Sequence, residues 1–421
     1  MVGKSSSLAS RVLRAGAVLV LGAVAGLQSR AQDLPDGPGK AEVEANCTTC
    51  HNLNRVVSRT DSPEGWLDMV NRMVGYGAVF TDQDIQLMAT YLGGAFPDRG
   101  PAQPKNAATP VPADNVKIDI KEWTVPWAKS RPRDPYVAPD GSIYFVGQQG
   151  DYVGQLNPST GEFKKWDLGK GVGPHTQIVD NDGYVWFTGN RVGYIGRLDP
   201  KSGEIKKYMM PDPNLKDPHT MAFDGKGNIF FTAQQSNFVG KLEMNSGKVT
   251  VAKLRIDDAR PYGILVDAQG FPWFNQFGTN HIGRMEPNSL EIKSYKLPNE
   301  KARDRRIART PDGMIWYSDY ARGYLGRLDP KDGDVKEWAL PGGSGSNPYA
   351  LAVDDKGNVW TVESGHQPNR FVGFDPKREK VFSVTDVPSG GGTVRHMVFD
   401  PKTRAIWFGT DTNNIGRALI P

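Results

Sequence analysis

Cysteine is almost absent from this chain, with two residues in 421. A fold held together by several disulfides is therefore excluded. After the N-terminus the sequence also lacks any apolar run long enough to cross a membrane. The basic surplus is small: the formal net charge is +4, and Lys4, Arg11, Arg14 and Arg30 all precede the first acidic residue. A balance near zero in the remainder argues against a nucleic-acid-binding protein.

The N-terminus has the three parts of a secretory signal peptide. Basic residues precede an apolar run from Ala15 to Leu27, and small residues end the segment at Ala31. The run is shorter than the roughly 20 residues that a membrane helix needs. We expect residues 1–31 to be removed between Ala31 and Gln32, and an uncleaved membrane anchor is the alternative. The mature protein would then be exported, for example to the periplasm, without a transmembrane span.

Both cysteines belong to one motif, Cys47-Thr48-Thr49-Cys50-His51. A disulfide here would close a very short loop and constrain little of the unfolded chain. A thioredoxin-like CxxC would need a strand-then-helix context. In the third interpretation, the thiols of Cys47 and Cys50 bind one haem c covalently and His51 is the proximal iron ligand. An exported chain that avoids cysteine everywhere else favours this haem interpretation.

Residues 33–97 have the pattern of a small helical domain around that motif. Ser62 is a good N-cap and Pro63 a good first helical residue. Trp66, Val70 and Met73 then fall on one apolar helix face. The segment resembles a class I type cytochrome c domain in its CTTCH motif, its Arg-Met pair and its final Tyr-Leu helix. That resemblance implies electron transfer.

A methionine is the expected sixth ligand of the iron. Met73 is predicted, because it lies near a helix end beside Gly75 and matches the Arg72-Met73 pair of the resembling group. Met69 is the alternative, and Met88 lies in mid-helix, where a methionine is usually core. His/Met ligation suits electron transfer rather than oxygen chemistry.

A repeat follows the proline-rich residues 98–115, which we expect to be a linker. Successive turn glycines are 42 to 44 residues apart: Gly141, Gly183, Gly227, Gly270, Gly313 and Gly357. Such a period with four short strands predicts β-propeller blades. The seventh copy lacks its fourth strand, and residues 120–123 supply it, which closes the ring. The predicted fold is thus a small all-α cytochrome domain followed by an all-β seven-bladed propeller over residues 116–421.

The repeated phrases Trp-Phe-Thr and Ile-Gly-Arg-Leu resemble the streptogramin lyase (virginiamycin B lyase) propeller family. The resemblance implies a cyclic-ester-opening elimination by histidines of the last two blades, acidic partners and a magnesium ion. His396 and Asp411 match two of those positions and are the catalytic candidates. Tyr349 and Val394 occupy two others, so half of the set is absent.

In the first six repeats, one residue opens the innermost strand eight positions before the turn glycine, and His396 has the equivalent place in the seventh by its spacing to Trp407. These side chains should converge on one mouth of the central channel: Arg133, His175, His219, Tyr262, Arg305, Tyr349 and His396. The second strand returns to the same mouth and adds Glu363. Histidine and arginine suit an anion or a divalent metal ion, and a water-filled polar channel is the alternative.

Two functions of different class follow from these features. The first is an exported c-type cytochrome that couples electron transfer to binding of a small-molecule substrate or partner at the mouth. Its redox partner protein would be a cytochrome or a dehydrogenase, and the chain would be a candidate oxidoreductase. The second is a carbon–oxygen lyase or hydrolase with an accessory haem domain. A redox-neutral lyase has no need of a haem, which favours the first. A third hypothesis is a scaffold that presents the cytochrome to a larger complex.

Overall fold

The computed structural model describes residues 34–47, 53–57, 61–75, 80–97, 111–112, 114–128, 130–213 and 215–421. Contacts divide the chain into two compact units, Met1–Asp98 and Arg99–Pro421. The expected signal peptide, most of the expected linker, and Cys50 and His51 of the haem motif lie outside the described residues.

The first unit is helical, with α1 Lys40–Cys47, α2 Asn54–Val57, α3 Pro63–Gly75 and α4 Asp82–Ala95. Ser62 caps α3 by accepting a 3.1 Å hydrogen bond from the Gly65 N–H. A capping box between Thr81 and Asp84 begins α4. Among the described helices, none is long and apolar enough to span a membrane.

The helices enclose an apolar core of their own. Trp66 and Val70 of α3 pack in one cluster with Met88 and Leu92 of α4. Trp66 also donates a 2.9 Å hydrogen bond to the Phe96 carbonyl, which ties α3 to the end of α4. The apolar stripes expected from the sequence therefore face each other.

The second unit consists of seven four-stranded antiparallel sheets among the described residues. Blade 1 contains β2 Pro132–Val137, β3 Ile143–Gly147, β4 Tyr152–Leu156 and β5 Phe163–Asp167. Blade 2 contains β6 Gln177–Val179, β7 Val185–Gly189, β8 Tyr194–Leu198 and β9 Ile205–Met209. Blade 3 contains β10 Pro218–Phe223, β11 Asn228–Ala233, β12 Phe238–Glu243 and β13 Val249–Lys253. Blades 4 and 5 contain β14 Pro261–Val266, β15 Pro272–Gln276, β16 His281–Met285 and β17 Ile292–Lys296; β18 Asp304–Arg309, β19 Ile315–Asp319, β20 Tyr324–Leu328 and β21 Val335–Ala339. Blade 6 contains β22 Pro348–Val353, β23 Val359–Glu363, β24 Arg370–Asp375 and β25 Lys380–Asp386, and blade 7 contains β26 Met397–Asp400, β27 Ala405–Gly409 and β28 Asn414–Leu419.

The N-terminal strand β1, Asp119–Thr124, completes blade 7 by pairing antiparallel with β28. Trp123 lies opposite Ile415 in that pair. The innermost strands of neighbouring blades contact one another in a closed order, from β2 through β6, β10, β14, β18 and β22 to β26 and back to β2. This is the seven-bladed propeller that the sequence period predicts.

In blades 2, 4, 5 and 6, a polar residue at the tight turn also binds the tryptophan of the second strand. In blade 4 the Asp267 carboxylate accepts a 2.9 Å bond from the Phe271 N–H and a 2.8 Å bond from Trp273 Nε1. Asp180 and Asp354 hold Trp186 and Trp360 in the same way. The aspartate at this spacing thus accepts a hydrogen bond from a buried indole N–H, and leaving that N–H without an acceptor would cost stability.

The glycine of the Ile-Gly-Arg phrase makes room for the aromatic ring of the neighbouring strand. A Cβ atom at Gly283 would lie 2.2 Å from Cζ of Phe274, and one at Gly196 would lie equally near Phe187. The ring is fully buried in the blade, so it has no free space to enter. The repeated sequence phrase is therefore a packing requirement.

We predict that Gly283→Ala lowers the free energy of unfolding by about 1–3 kcal/mol, because the added methyl group overpacks the blade. Urea unfolding followed by tryptophan fluorescence measures this change. The double variant Gly283→Ala, Phe274→Leu should recover part of the loss, since the shorter side chain vacates the contested space. Equal stability of Gly283→Ala and wild type would contradict the packing argument.

Candidate functional site

The inner strands carry a register shift that turns consecutive side chains toward the channel. Pairing of β18 with β19 shifts between Asp304 and Ile307, and the same shift recurs in blades 1, 3, 4 and 6. An extra residue of this kind breaks the strict alternation of side chains. In blade 1 the irregularity includes Asp134, whose φ of 45° lies in the left-handed region that Asp tolerates better than most residues.

Arg306 joins several blades across the channel. Its NH2 group lies 3.2 Å from Asp134 Oδ2 and its Nε donates a 3.0 Å bond to the Arg395 carbonyl. NH1 lies 3.5 Å from Thr220 Oγ1. Asp134 also accepts a 2.8 Å bond from Thr176 Oγ1. Burial opposes ionisation of Asp134, but Arg306, Arg133 and the other groups around it together outweigh burial and hold the pKa of that carboxyl well below its usual range.

Four residues of the predicted mouth column form a continuous chain of side-chain contacts. The rings of His175 and His219 have centroids 3.6 Å apart, and Tyr262 follows at 4.2 Å from His219. The hydroxyl groups of Tyr262 and Tyr349 share a hydrogen bond. Burial is the main reason why the pKa of both imidazoles lies well below the usual range. The next largest cause is the positive charge of Arg133 for His175 and of Arg306 for His219. Both histidines are therefore neutral at physiological pH.

Arg305 lies within a set of aromatic rings. Its guanidinium carbon is 3.9 Å from the ring centroid of Tyr349, 4.3 Å from Tyr320, 4.5 Å from Phe277 and 5.2 Å from Tyr262. Such contacts attract a cation and fix its position. Arg305 Nε has no hydrogen-bond partner among the described atoms.

Arg133 is buried without a full set of acceptors. NH1 donates a 2.9 Å bond to Gln148 Oε1, and Nε lies 3.9 Å from Asp134 Oδ1. Within the described part of the chain, Nε and NH2 donate to no hydrogen-bond acceptor, although Arg133 is only 6% exposed. A buried guanidinium in this state has donors available for a ligand oxygen.

The two candidates for lyase chemistry differ in their surroundings. Asp411 is bound by Arg395 at 2.5 Å and lies 3.4 Å from Arg131. Burial opposes its ionisation, yet these arginines lower the pKa of Asp411 to about 2. Burial, assisted by Arg306, lowers the pKa of His396 to about 4. His396 Nδ1 has no partner among the described atoms, whereas the Asp411 carboxylate is already engaged.

Glu363, which was expected at the mouth, lies opposite Pro348 and has its carboxylate engaged within blade 6. Its Oε1 accepts a 2.6 Å bond from the Gly342 N–H. Its Oε2 accepts bonds of 2.9 and 2.5 Å from Arg370 on β24, the next strand of the blade. The prediction followed strand alternation and missed this partner, so Glu363 is a structural counter-ion within blade 6.

The mouth does not have the donor set of a divalent metal site. Across the described ranges, no group of three or more His, Cys, Asp or Glu side chains is arranged to hold a metal ion. The histidines have arginines as charged neighbours, and the nearby carboxylates are paired with those arginines. A cation would therefore meet positive charge, and these residues do not fit the metal expected by resemblance.

Sequence reasoning missed four charged residues of the mouth: Arg131, Asp134, Arg306 and Arg395. Asp134 and Arg306 each follow a column residue directly, and Arg395 precedes one. A column extended by two residues before and one residue after each position would have found them. The single-residue column assumed ideal alternation, which the register shift removes.

Comparison with known proteins identifies the family to which this propeller belongs. The model of the virginiamycin B lyase family matches residues 108–370, more than half of the chain. The chain belongs to the virginiamycin B lyase family. No curated protein sequence matches it.

Solved structures share the propeller of this family. A catalytically inactive virginiamycin B lyase from Staphylococcus aureus with quinupristin is 22% identical, with a TM-score of 0.66 over 72% of this chain and 100% of that chain. A streptogramin B lyase structure is also 22% identical, with a TM-score of 0.65 over 72% of this chain and 97% of that one. Hydrazine synthase of Kuenenia stuttgartiensis is 14% identical, with a TM-score of 0.58 over 70% and 96%. At these identities the similarity establishes the fold.

We predict that Asp134→Asn lowers the free energy of unfolding at about pH 7 by about 3 kcal/mol, because it leaves the Arg306 charge buried without a partner. The folded pKa of Asp134 is depressed, so its contribution is present above the unfolded value of about 4 and is lost as pH falls through the folded value. The variant should therefore lose less stability on acidification than wild type. Urea unfolding at several pH values measures both effects.

The matched control is Asp140→Asn, which changes an exposed turn carboxylate whose hydrogen bond to Ser142 an amide can retain. Its stability should stay within about 0.5 kcal/mol of wild type. A similarly small effect of Asp134→Asn would contradict the importance of the pair.

Proposed function

We propose that this protein is an exported c-type cytochrome whose propeller mouth binds a small oxyanion, such as an organic acid. Electrons would pass between a haem c in the helical unit and a redox partner protein, a cytochrome or a dehydrogenase. Membership of the virginiamycin B lyase family supplies the propeller, and the side chains at its mouth supply the selectivity.

The charge of the mouth is the observation that carries the binding proposal. Five arginines, Arg131, Arg133, Arg305, Arg306 and Arg395, meet there, and the carboxylates paired with them are Asp134 and Asp411. The histidines add no positive charge because their pKa values are depressed. The unpartnered donors of Arg133 suit a carboxylate, sulfate or phosphate oxygen.

The helical unit supports the haem proposal through its described residues. Cys47 is the last residue of α1, half-buried, and burial raises the pKa of its thiol. Leu53, Met69 and Phe80 are partly exposed apolar side chains that pack on the same core as Cys47. They would suit the apolar face of a porphyrin. Haem c held by Cys47, Cys50 and His51 would supply one-electron transfer.

The methionines fit the proposed ligation to different degrees. Met88 is fully buried in the helical core, as expected of a packing residue. Met73 is half-buried near the C-terminal end of α3 and remains the proposed distal ligand. Met69 packs on the core and is the alternative.

A carbon–oxygen lyase is the second candidate, favoured by family membership. His396 is neutral with a free Nδ1, which suits a general base. Asp411, however, is bound by two arginines and Tyr349 stands in the penultimate blade. We therefore place oxyanion binding first. Turnover of quinupristin by wild type, abolished in His396→Ala, would favour the lyase instead.

We predict that Arg133→Gln weakens sulfate binding at least 10-fold, or about 1.4 kcal/mol, without lowering the unfolding temperature. The buried guanidinium lacks acceptors, so its removal deletes ligand donors without breaking a complete hydrogen-bond set. Isothermal titration calorimetry at constant ionic strength measures the affinity, and differential scanning calorimetry measures the stability.

Arg284→Gln is the control, because Arg284 lies on β16 and pairs with Glu286 at 3.1 Å, outside the residues of the mouth. It should bind sulfate like wild type. Failure of wild type to bind sulfate, or equal losses in both variants, would refute an oxyanion site at the mouth.

We predict that wild type, expressed in a periplasm with a haem-maturation system, carries one covalent haem per chain. Cys47→Ser combined with Cys50→Ser should lose it, because both thioether bonds depend on these thiols. Mass spectrometry of the denatured chain and a pyridine haemochrome spectrum measure the bound haem.

Thr49→Ser is the control for this motif, since it leaves both thiols and His51 in place. It should retain the haem. Covalent haem in the double serine variant, or none in wild type, would refute the assignment.

A further inference from the structure

Tyr349 and Tyr262 form a buried pair at the floor of the mouth. They are 1% and 3% exposed, and their hydroxyl groups share one hydrogen bond. Tyr349 lies on β22 and Tyr262 on β14, two blades away. The contact therefore crosses the mouth and does not arise from neighbouring strands.

Charged and titratable groups face Tyr349 from every element around it. Arg305 on β18 lies 3.9 Å from its ring, and Arg395, just before β26, lies 5.6 Å away. The ring of Tyr320, after β19, is 5.7 Å away. Arg133 on β2 and Arg306 on β18 also act on its charge. No acidic side chain is among these groups; Asp411 reaches the cluster through Arg395.

The cations around Tyr349 differ in their counter-ions. Arg306 is paired with Asp134, and Arg395 with Asp411. Among the described residues, no carboxylate lies within ion-pair distance of Arg305, which is surrounded by aromatic rings. A buried charge without a counter-ion is costly. Tyr349, against whose ring Arg305 packs, carries an oxygen that offsets this charge when it is deprotonated.

Electrostatics agrees with this geometry. Burial opposes ionisation of Tyr349, but Arg305 and Arg395 outweigh it and lower the pKa of Tyr349 to about 7. Burial and the adjacent Tyr349 raise the pKa of Tyr262. The pair thus releases one proton far more readily than two free tyrosines would, and Tyr262 stays a hydrogen-bond donor to the Tyr349 oxygen.

We propose that an oxyanion bound between Arg305 and Arg395 replaces the Tyr349 phenolate as the counter-ion of Arg305, so that Tyr349 takes up one proton as the anion binds. This inference rests on the oxyanion binding proposed above. The ligand class is any carboxylate, sulfate or phosphate oxyanion small enough for the mouth.

The proton balance of this step is simple. The phenolate oxygen gains one proton, from water or from an acidic group of the ligand, and no bond of the ligand breaks when water supplies it. When the ligand supplies it, the ligand keeps the electron pair beside the two arginines. Tyr349 is therefore the mouth's proton acceptor as well as its internal counter-ion.

The test uses sulfate, which does not titrate near neutral pH. Calorimetric titrations of the full chain in two buffers of different ionisation enthalpy, at about pH 8, report the protons taken up. Wild type should take up close to one proton per sulfate, with affinity falling by as much as about 10-fold per pH unit above about pH 7. Tyr349→Phe should take up none and bind with little dependence on pH.

Tyr324→Phe is the matched control, because it removes a tyrosine hydroxyl on β20, where the ring lies under Arg322, away from Tyr349. Its proton uptake should equal that of wild type. Sulfate binding without proton uptake in wild type would overturn this inference and leave oxyanion binding intact. No sulfate binding at all would overturn both.

A second measurement keeps the proposal testable if Tyr349→Phe does not fold. Wild type labelled with carbon-13 at the hydroxyl-bearing ring carbon of tyrosine should show one tyrosine titrating near neutral pH, with a midpoint that sulfate moves upward. Absence of any tyrosine titrating between about pH 6 and about pH 9 would overturn the inference.

Discussion

The buried ion pair between Arg306 and Asp134 organises the centre of the propeller. It joins blade 5 to blade 1, while the same guanidinium binds the Arg395 carbonyl before blade 7 and reaches Thr220 of blade 3. A buried pair gains little net stability, because desolvation offsets the attraction. Its main effect here is to fix the separation of blades that share no strand pairing. The positions of the mouth side chains depend on that separation.

Because the Asp134 carboxylate is ion-paired with Arg306, it neutralises little of the charge of the other arginines at the mouth. Asp411 is likewise committed to Arg395 and Arg131. Arg133 keeps unpartnered donors, and Arg305 has the ring of Tyr349 and other aromatic rings as neighbours. The excess of arginines over carboxylates at the mouth is therefore a consequence of how the centre is built. The proposed anion, or the proposed phenolate, would balance this positive charge.

The sequence predicts the propeller well because its repeat is set by local packing. Turn residues such as Asp267 bind the tryptophan of their own blade, and glycines such as Gly283 make room for one aromatic ring. These needs recur in each blade and leave a visible period. The mouth is harder to predict, since Arg306 meets Asp134 from 172 positions away and a register shift decides which side chains turn inward. The pairing of Glu363 with Arg370 on the next strand was not foreseen either, because alternation alone does not show which neighbour binds a carboxylate. The haem motif is legible in sequence, but Cys50 and His51 lie outside the described residues.

The sign of the charge at the mouth separates this chain from the metal-dependent chemistry that its family resemblance implies. The ring of inner-strand positions is a property of the fold, and any side chain placed there faces the same small volume. Carboxylates beside histidines would make that volume attractive to a divalent cation. Here arginines stand beside histidines whose burial keeps them neutral, and a tyrosine occupies the penultimate-blade position. The proposed oxyanion site would use the same scaffold with a titratable oxygen next to the ligand, and a change in a few inner-strand residues would then change the class of ligand without changing the blades.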